Sequence, residues 1–303
     1  MLKLTTHTTL PAVAPAFKND SVNVCFATDQ NYLPYLTVVL RSLAAHADPA
    51  RFYDICILHD GTLDISRFPL RVLAHSHLSI RFVSLDLSQY DYDFAAHLTG
   101  YYTIATYYRF FIGEIFRHYR KILYLDSDII ILEDIAHLFD FDLQDKMLAA
   151  GNDRCHYDPS NQEMFTYVTQ TLAMPFAAYF CCGVMLMDIA KMRAARLLLR
   201  SLQKLDELGH PKLVDQDVLN SLFYQQTTIL PTPWNVMWSL FLQGDPKTAQ
   251  TYRRAALPAK IIHYDSATKP WHAPNQFLAD KWWFFAKQTP YFDSFMLDSK
   301  LSI

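Results

Sequence analysis

Lys121-Ile-Leu-Tyr-Leu-Asp126-Ser127-Asp128-Ile-Ile-Ile-Leu132 places two carboxylates inside a run that otherwise reads as buried strand. Burying an ionised carboxylate without a partner is very costly, so something must compensate the pair. Side chains at i and i+2 of a strand share a face, which lets Asp126 and Asp128 converge on one cation. At the carboxyl end of a parallel strand they would sit where open α/β sheets bind ligands. The plainer alternative is a strand ending in a polar turn, with Asp128 capping the next element. Apolar residues on both sides of the acids favour the metal.

Working outward, short apolar runs alternate with helical periodicity from about Val22 onward, the pattern of an α/β fold with a mostly parallel sheet flanked by helices. Val22 to Ala27 reads as the first strand, followed by a helix with Leu36, Val39, Leu40 and Leu43 on one face. Asp54 to Leu58 and Ser79 to Ser84 read as further strands, and Thr106 to Phe116 as a helix. Phe180 to Met187 is another strand, Ile189 to Leu208 one long helix ending near Gly209, and a second short helix begins around Asp215. The expected organisation is a flexible tail over residues 1–20, a single α/β domain over 21–272 and an aromatic-rich segment over 273–303. In that last segment, Trp282, Trp283, Phe284 and Phe285 either pack on the domain or rest on a membrane surface; packing is favoured, since aromatics dominate cores.

Composition excludes several classes. Half of the 303 residues are hydrophobic, which rules out disorder for most of the length. The formal charge of -3 and a pI near 6.4 speak against nucleic-acid binding, which needs a basic field. No apolar run is long enough to span a membrane. The five cysteines form no CxxC pair, and a reducing, cytoplasmic compartment fits them best. The seven glycines are never spaced as GxGxxG or GxxxxGK, so any nucleotide is held by another device.

Four more segments carry polar groups in suggestive company. In Ile261-Ile-His263-Tyr264, followed by Lys269-Pro270-Trp271-His272, a strand delivers an imidazole beside a lysine; His263 alone would read as a satisfied strand-end histidine. Two carboxylates and an imidazole leave positions open on an octahedral ion, and the mixed O/N set favours Mn²⁺ over Mg²⁺. Lys269 would bring a point charge to phosphate oxygens. Asp215-Gln216-Asp217 opens a helix, where acids either cap the N-terminus or orient sugar hydroxyls. Phe26-Ala-Thr-Asp29-Gln30-Asn31-Tyr32 follows the first strand; Asp29 and Asn31 suit a base and ribose with Tyr32 stacking, or equally a turn. Arg109 in Thr106-Tyr-Tyr-Arg109 is either a snorkelling surface residue or a donor contact.

Taken together and in this order, ATDQNY, TYYR, KILYLDSD, GVMLMD, VDQDVLN and HYDSATKPWH resemble glycosyltransferase family 8, especially its bacterial lipopolysaccharide galactosyl- and glucosyltransferases. The likeness runs from about Val22 to His272. It implies a GT-A fold, a UDP-sugar donor (galactose or glucose), Mn²⁺, and transfer to a carbohydrate acceptor with retention of configuration. That acceptor would be lipopolysaccharide or another surface glycan, met at the inner face of the membrane. By position it implies that Asp126, Asp128 and His263 bind metal, Asp29 and Asn31 the uridine, and Lys269 the diphosphate. Arg109, Asp215 and Gln216 would then meet the donor sugar, and Asp153 in AAGNDRC would lie near the transferred sugar.

Two departures from the family pattern stand out. Cys181-Cys182-Gly183 replaces Asn-Ala-Gly, whose Asn contacts the donor sugar, and Ser266-Ala267 replaces Gly-Pro or Gly-Ser after the histidine. The rival readings are a metal-dependent nucleotidyltransferase, which would want a glycine- and lysine-bearing phosphate loop, and an inactive sugar-nucleotide or glycan-binding protein. A DxD phosphatase of the haloacid-dehalogenase type would want Thr where Ile130 stands.

Overall fold

Hydrogen bonding orders seven strands as β3-β2-β1-β4-β7-β6-β8 in the central sheet of the computed structural model. The structure describes residues 10–301 apart from 11, 19, 70–72, 74, 101, 157–160 and 243–245. The strands are β1 (Ser21–Ala27), β2 (Phe52–His59), β3 (Leu78–Ser84), β4 (Lys121–Leu125), β6 (Leu148–Asn152), β7 (Phe180–Asp188) and β8 (Thr227–Ile229). Only β7 runs against its neighbours β4 and β6; the other pairings are parallel. The mostly parallel α/β sheet is therefore as expected. From β1 the chain winds outward through β2 and β3, then returns to β4 on the opposite side of β1. That reversal leaves a crevice at the carboxyl ends of β1 and β4, the usual ligand position in such sheets.

Strand pleating divides the core in two. Val22, Val24 and Phe26 of β1 join Leu36, Val39 and Leu40 of the helix Leu33–His46 on one face. Cys25 and Ala27 point oppositely, toward Phe110, Phe111 and Leu202. Successive strand side chains alternate faces, so one apolar run serves both layers.

A second sheet decides where the site lies. β5 (Ile129–Ile131), β9 (Val236–Met237) and β10 (Ile261–His263) form it in the order β5-β10-β9. KILYLDSDIIIL is thus two strands in two sheets, and Asp126-Ser127-Asp128 is the crossing between them. The two acids converge through that turn, not through the pleat of one continuous strand. Ser127 Oγ donates to the Ala27 carbonyl at 2.8 Å and ties the crossing to the end of β1.

Two helices differ from expectation. The segment from Ile189 breaks into Ile189–Ala194 and Leu197–Leu208, because Arg196 takes a left-handed φ of 54°. The bend lets both Ile189 and Met192, and then Leu197, Leu202 and Leu205, face the same core. The arginine-bearing segment is mainly a 3-10 helix, Ile104–Phe111, with one α turn at Ile112–Ile115.

At the amino end, residues 1–9 of the expected tail lie outside the described residues. Within the rest, Val13 N donates to Ile115 O at 3.0 Å and Ala16 N to Asp54 Oδ2 at 2.8 Å, so this stretch is tied to the body. Asp54 is buried, and Arg81 and Tyr119 also satisfy it. At the carboxyl end, Trp282, Phe285 and Phe295 share a core with Val38, Ile130 and Trp238. The aromatic cluster packs on the domain, with Phe284 left outside at 62% exposed.

Candidate active site

β10 brings His263 to the acids. It pairs antiparallel with β5 so that His263 lies opposite Ile129, and Tyr264 N donates to Asp128 O at 2.9 Å. His263 Nε2 is then 3.3 Å from Asp128 Oδ1 and 3.7 Å from Asp126 Oδ2. One ligand atom from each of the three residues lies within 4.8 Å of the others. Residues separated by well over a hundred positions meet because two short strands pair in register.

Each carboxylate has one oxygen committed to protein. Asp126 Oδ1 accepts from Arg109 and from Tyr124, both at 3.0 Å. Asp128 Oδ2 accepts from Lys269 Nζ at 2.6 Å, while its Oδ1 is buried with no hydrogen-bond partner. Burial by itself would raise the Asp128 pKa, but Lys269 and His263 outweigh it and hold this carboxylate below its usual range. The oxygens left over face His263 Nε2.

Gly183 on β7 keeps the space between these groups open. A Cβ there would stand 2.3 Å from His263 Cε1 and 2.8 Å from Asp126 Oδ2. The residues therefore fit a divalent metal: two carboxylate oxygens and an imidazole nitrogen converge, one oxygen is orphaned, and the neighbouring backbone is pared to glycine. Such hard O/N donors suit Mn²⁺ or Mg²⁺.

Behind the triad lies a buried network. Arg109 donates from Nη1 to the Cys182 carbonyl at 3.0 Å and pairs through Nε with Asp215 Oδ2 at 3.0 Å, while its guanidinium lies over the Tyr124 ring. Asp215 also accepts from Thr106 Oγ1 at 2.6 Å. Its pKa is pushed up to about 6 by burial, with Arg109 pulling the other way. Gln216 is engaged at both ends: Oε1 accepts from Cys182 N at 3.0 Å and Nε2 donates to Asp153 Oδ2 at 3.1 Å. Asp153 takes Cys155 N on its other oxygen, and burial pushes its pKa up to about 6.

These groups line one cavity of about 740 Å³. Asp29, Arg109, Asp126, Asp128, Asp153, Cys181, Asp215, Gln216, His263 and Lys269 all border it. Asn31 does not; it is exposed, and its backbone N donates to Asp29 Oδ1 at 2.9 Å. Asp29 also accepts from Tyr32 N, so it organises the turn while facing the cavity, and Tyr32 lines the same end. Cys181 points into the cavity, with Sγ 3.6 Å from His263 Nδ1, whereas Cys182 faces the core behind it. Asp217 belongs elsewhere: it accepts from Tyr167, Tyr179 and Leu213 N and holds the helix Val214–Phe223 in place.

Sequence reasoning passed over Tyr124, Asp265 and Asn235. Tyr124 stands two residues before Asp126 and carries the one polar tip among the apolar residues of β4 that follow Lys121, a signal readable in the sequence. Asp265 accepts from Ser239 N and Oγ at the cavity wall, and Asn235 is buried against His263; neither sits in a run that contrasts with its neighbours.

A family model for glycosyl transferase family 8 matches residues 23–274. General stress protein A of Bacillus subtilis is 25% identical over 268 residues, covering 84% of this chain and 89% of its own length. The lipopolysaccharide 1,2-glucosyltransferase of Escherichia coli K12 is 25% identical over 259 residues, covering 84% of this chain and 74% of its own. Among solved structures, the galactosyltransferase LgtC in complex with donor and acceptor sugar analogues aligns with a TM-score of 0.71 at 26% identity, over 88% of this chain and 96% of that one. The architecture is accordingly the GT-A fold that the motifs implied. With the match spanning both halves of the site, from β1 to the loop after His263, the chain belongs to glycosyltransferase family 8.

Proposed function

We propose that the chain transfers a hexose, glucose or galactose, from a UDP-sugar to a carbohydrate acceptor of the lipopolysaccharide or surface-glycan type, with retention of configuration. The observation that carries this reading is the convergence of Asp126, Asp128 and His263 on the wall of one cavity, with Asp29 and Tyr32 bordering the same space. These three residues would hold Mn²⁺, which supplies Lewis-acid stabilisation of charge on the departing diphosphate. Lys269, anchored on Asp128 and the Tyr264 carbonyl, adds a positive charge beside the same position. Asp29 and Tyr32 would meet the uridine, and Asp153, Asp215 and Gln216 the sugar end.

Retention needs either an enzyme nucleophile or attack from the face of departure. Gln216 is a neutral amide bonded at both ends, Asp215 is held by Arg109 and Thr106, and Asp153 by Gln216 and Cys155 N. This favours same-face attack, with the leaving phosphate accepting the acceptor's proton.

Five buried free thiols fit a reducing, cytoplasmic compartment. No helix among the described residues is long and apolar enough to cross a membrane. Peripheral contact with a lipid-borne acceptor would fall to exposed Phe284, which borders one cavity with Lys281 and Lys287. The test is a panel of UDP-sugars with NMR of the product. An α anomer from UDP-glucose or UDP-galactose, with no covalent sugar–enzyme adduct by mass spectrometry, supports the reading; a β anomer overturns it.

A further inference from the structure

We infer that Asn235 is a positioning residue that commits His263 to presenting Nε2 toward the two carboxylates. The inference rests on the metal reading of Asp126, Asp128 and His263. Its basis is a chain of hydrogen bonds with only one consistent direction. Asn235 is completely buried in the turn before β9, and its Nδ2 lies 2.8 Å from the Asn152 carbonyl. A backbone carbonyl only accepts, so the nitrogen of the amide must face it and the oxygen must point away. That oxygen, Oδ1, lies 3.2 Å from His263 Nδ1. An amide oxygen also only accepts, so Nδ1 must carry a proton and donate.

A histidine with Nδ1 protonated keeps Nε2 for a ligand, because the hydrogen bond made by one ring nitrogen sets what the other can do. Nε2 is the atom that faces Asp126 Oδ2 and Asp128 Oδ1.

Cys181 shows why such a residue is needed. Its Sγ is the second neighbour of Nδ1, at 3.6 Å, and a thiol can donate as well as accept. A thiol proton given to Nδ1 would leave the ring proton on Nε2, aimed at the acids. Asn235 closes that alternative and leaves the sulfur as an acceptor, a role it already has toward Gly183 N. The site is also shaped around this side chain: a Cβ on Gly151 would lie 2.5 Å from the Asn235 Cβ, Cγ and Nδ2.

The test is Mn²⁺ affinity without donor or acceptor, read by EPR of the free ion, for wild type, Asn235→Leu, Asn235→Asp and Asp128→Asn. Asn235→Leu is expected to weaken Mn²⁺ binding about 10–100-fold, and Asn235→Asp, which keeps an acceptor at Nδ1 but gives up the donor to the Asn152 carbonyl, to weaken it clearly less than Asn235→Leu does. Unchanged affinity in Asn235→Leu, or equal losses in both variants, would overturn the inference while Asp128→Asn still abolishes binding. If Asp128→Asn binds Mn²⁺ normally, the metal reading itself fails and the inference with it. Should Asn235→Leu not fold, long-range ¹H–¹⁵N spectra of wild type loaded with Zn²⁺ decide, with His263 assigned by its loss in His263→Gln. A proton on Nδ1 supports the assignment, and a proton on Nε2 contradicts it.

Discussion

Cys181 stands where the resemblance to the family leads one to expect an Asn, and its side chain borders the cavity beside His263. Cys181→Asn should therefore change the ratio of transfer rates with UDP-glucose and UDP-galactose by about fivefold or more, since one hydrogen-bonding group is worth ~1 kcal/mol. An unchanged ratio across donors would place residue 181 out of reach of the sugar. Asp153 gives a pH signature. Its pKa is about 6 in the folded protein and about 3.9 when unfolded, so the folded state binds more protons between those values. Stability conferred by the protonated group is then lost as pH rises from about 4 to about 6, a contribution of roughly 1–3 kcal/mol. Asp153→Asn, which does not titrate, should flatten that slope in chemical denaturation measured across the range. Contrast with the surrounding sequence decides which of these residues are legible. Asp126 and Asp128 stand out because they interrupt apolar strand, whereas Asn235 comes after Pro231-Thr-Pro-Trp234 in an irregular segment and acquires its meaning only through His263.

The helix Val214–Phe223 shows how one element divides its labour. Asp215 and Gln216 face the cavity, while Asp217 one step on receives two tyrosine hydroxyls and the Leu213 N–H. Asp217→Ala leaves one buried and two part-buried donors without their acceptor and should destabilise the protein by about 2–4 kcal/mol, measured by denaturant titration. A loss under about 0.5 kcal/mol would show those donors to be satisfied by water. Strands are legible in the sequence because β1, β2, β4 and β7 are buried on both faces and appear as largely apolar runs, interrupted inside β1 and β2 only by Asn23 and Asp54. Helices are less so. The break at Arg196 depends on a single left-handed φ that an arginine does not announce, and the sustained apolar spacing of Ile189 to Leu208 masks it. Nor does composition separate a 3-10 helix such as Ile104–Phe111 from an α-helix.

At the scale of the whole molecule, three packed regions fix the cavity: the two faces of the central sheet, and the core under the second sheet. The last of these joins Ile130, next to the acid turn, and Tyr264, next to His263, to Trp282 and Phe295 near the carboxyl end. Trp282→Ala should cost about 3–5 kcal/mol, seen as a lowered midpoint of a single unfolding transition. A separate early transition would show the carboxyl-terminal segment to fold as an independent unit. The charge that speaks against nucleic-acid binding and the apolar content that speaks against disorder are properties of the average chain. The site depends instead on β5 and β10 pairing across more than a hundred residues, which no local pattern encodes. The central claim, metal-dependent sugar transfer, is tested most directly by UDP release from a UDP-hexose in the presence of a lipopolysaccharide-type acceptor, before and after EDTA. Release should cease in excess EDTA and return on adding Mn²⁺; turnover that continues undiminished in EDTA would contradict the account.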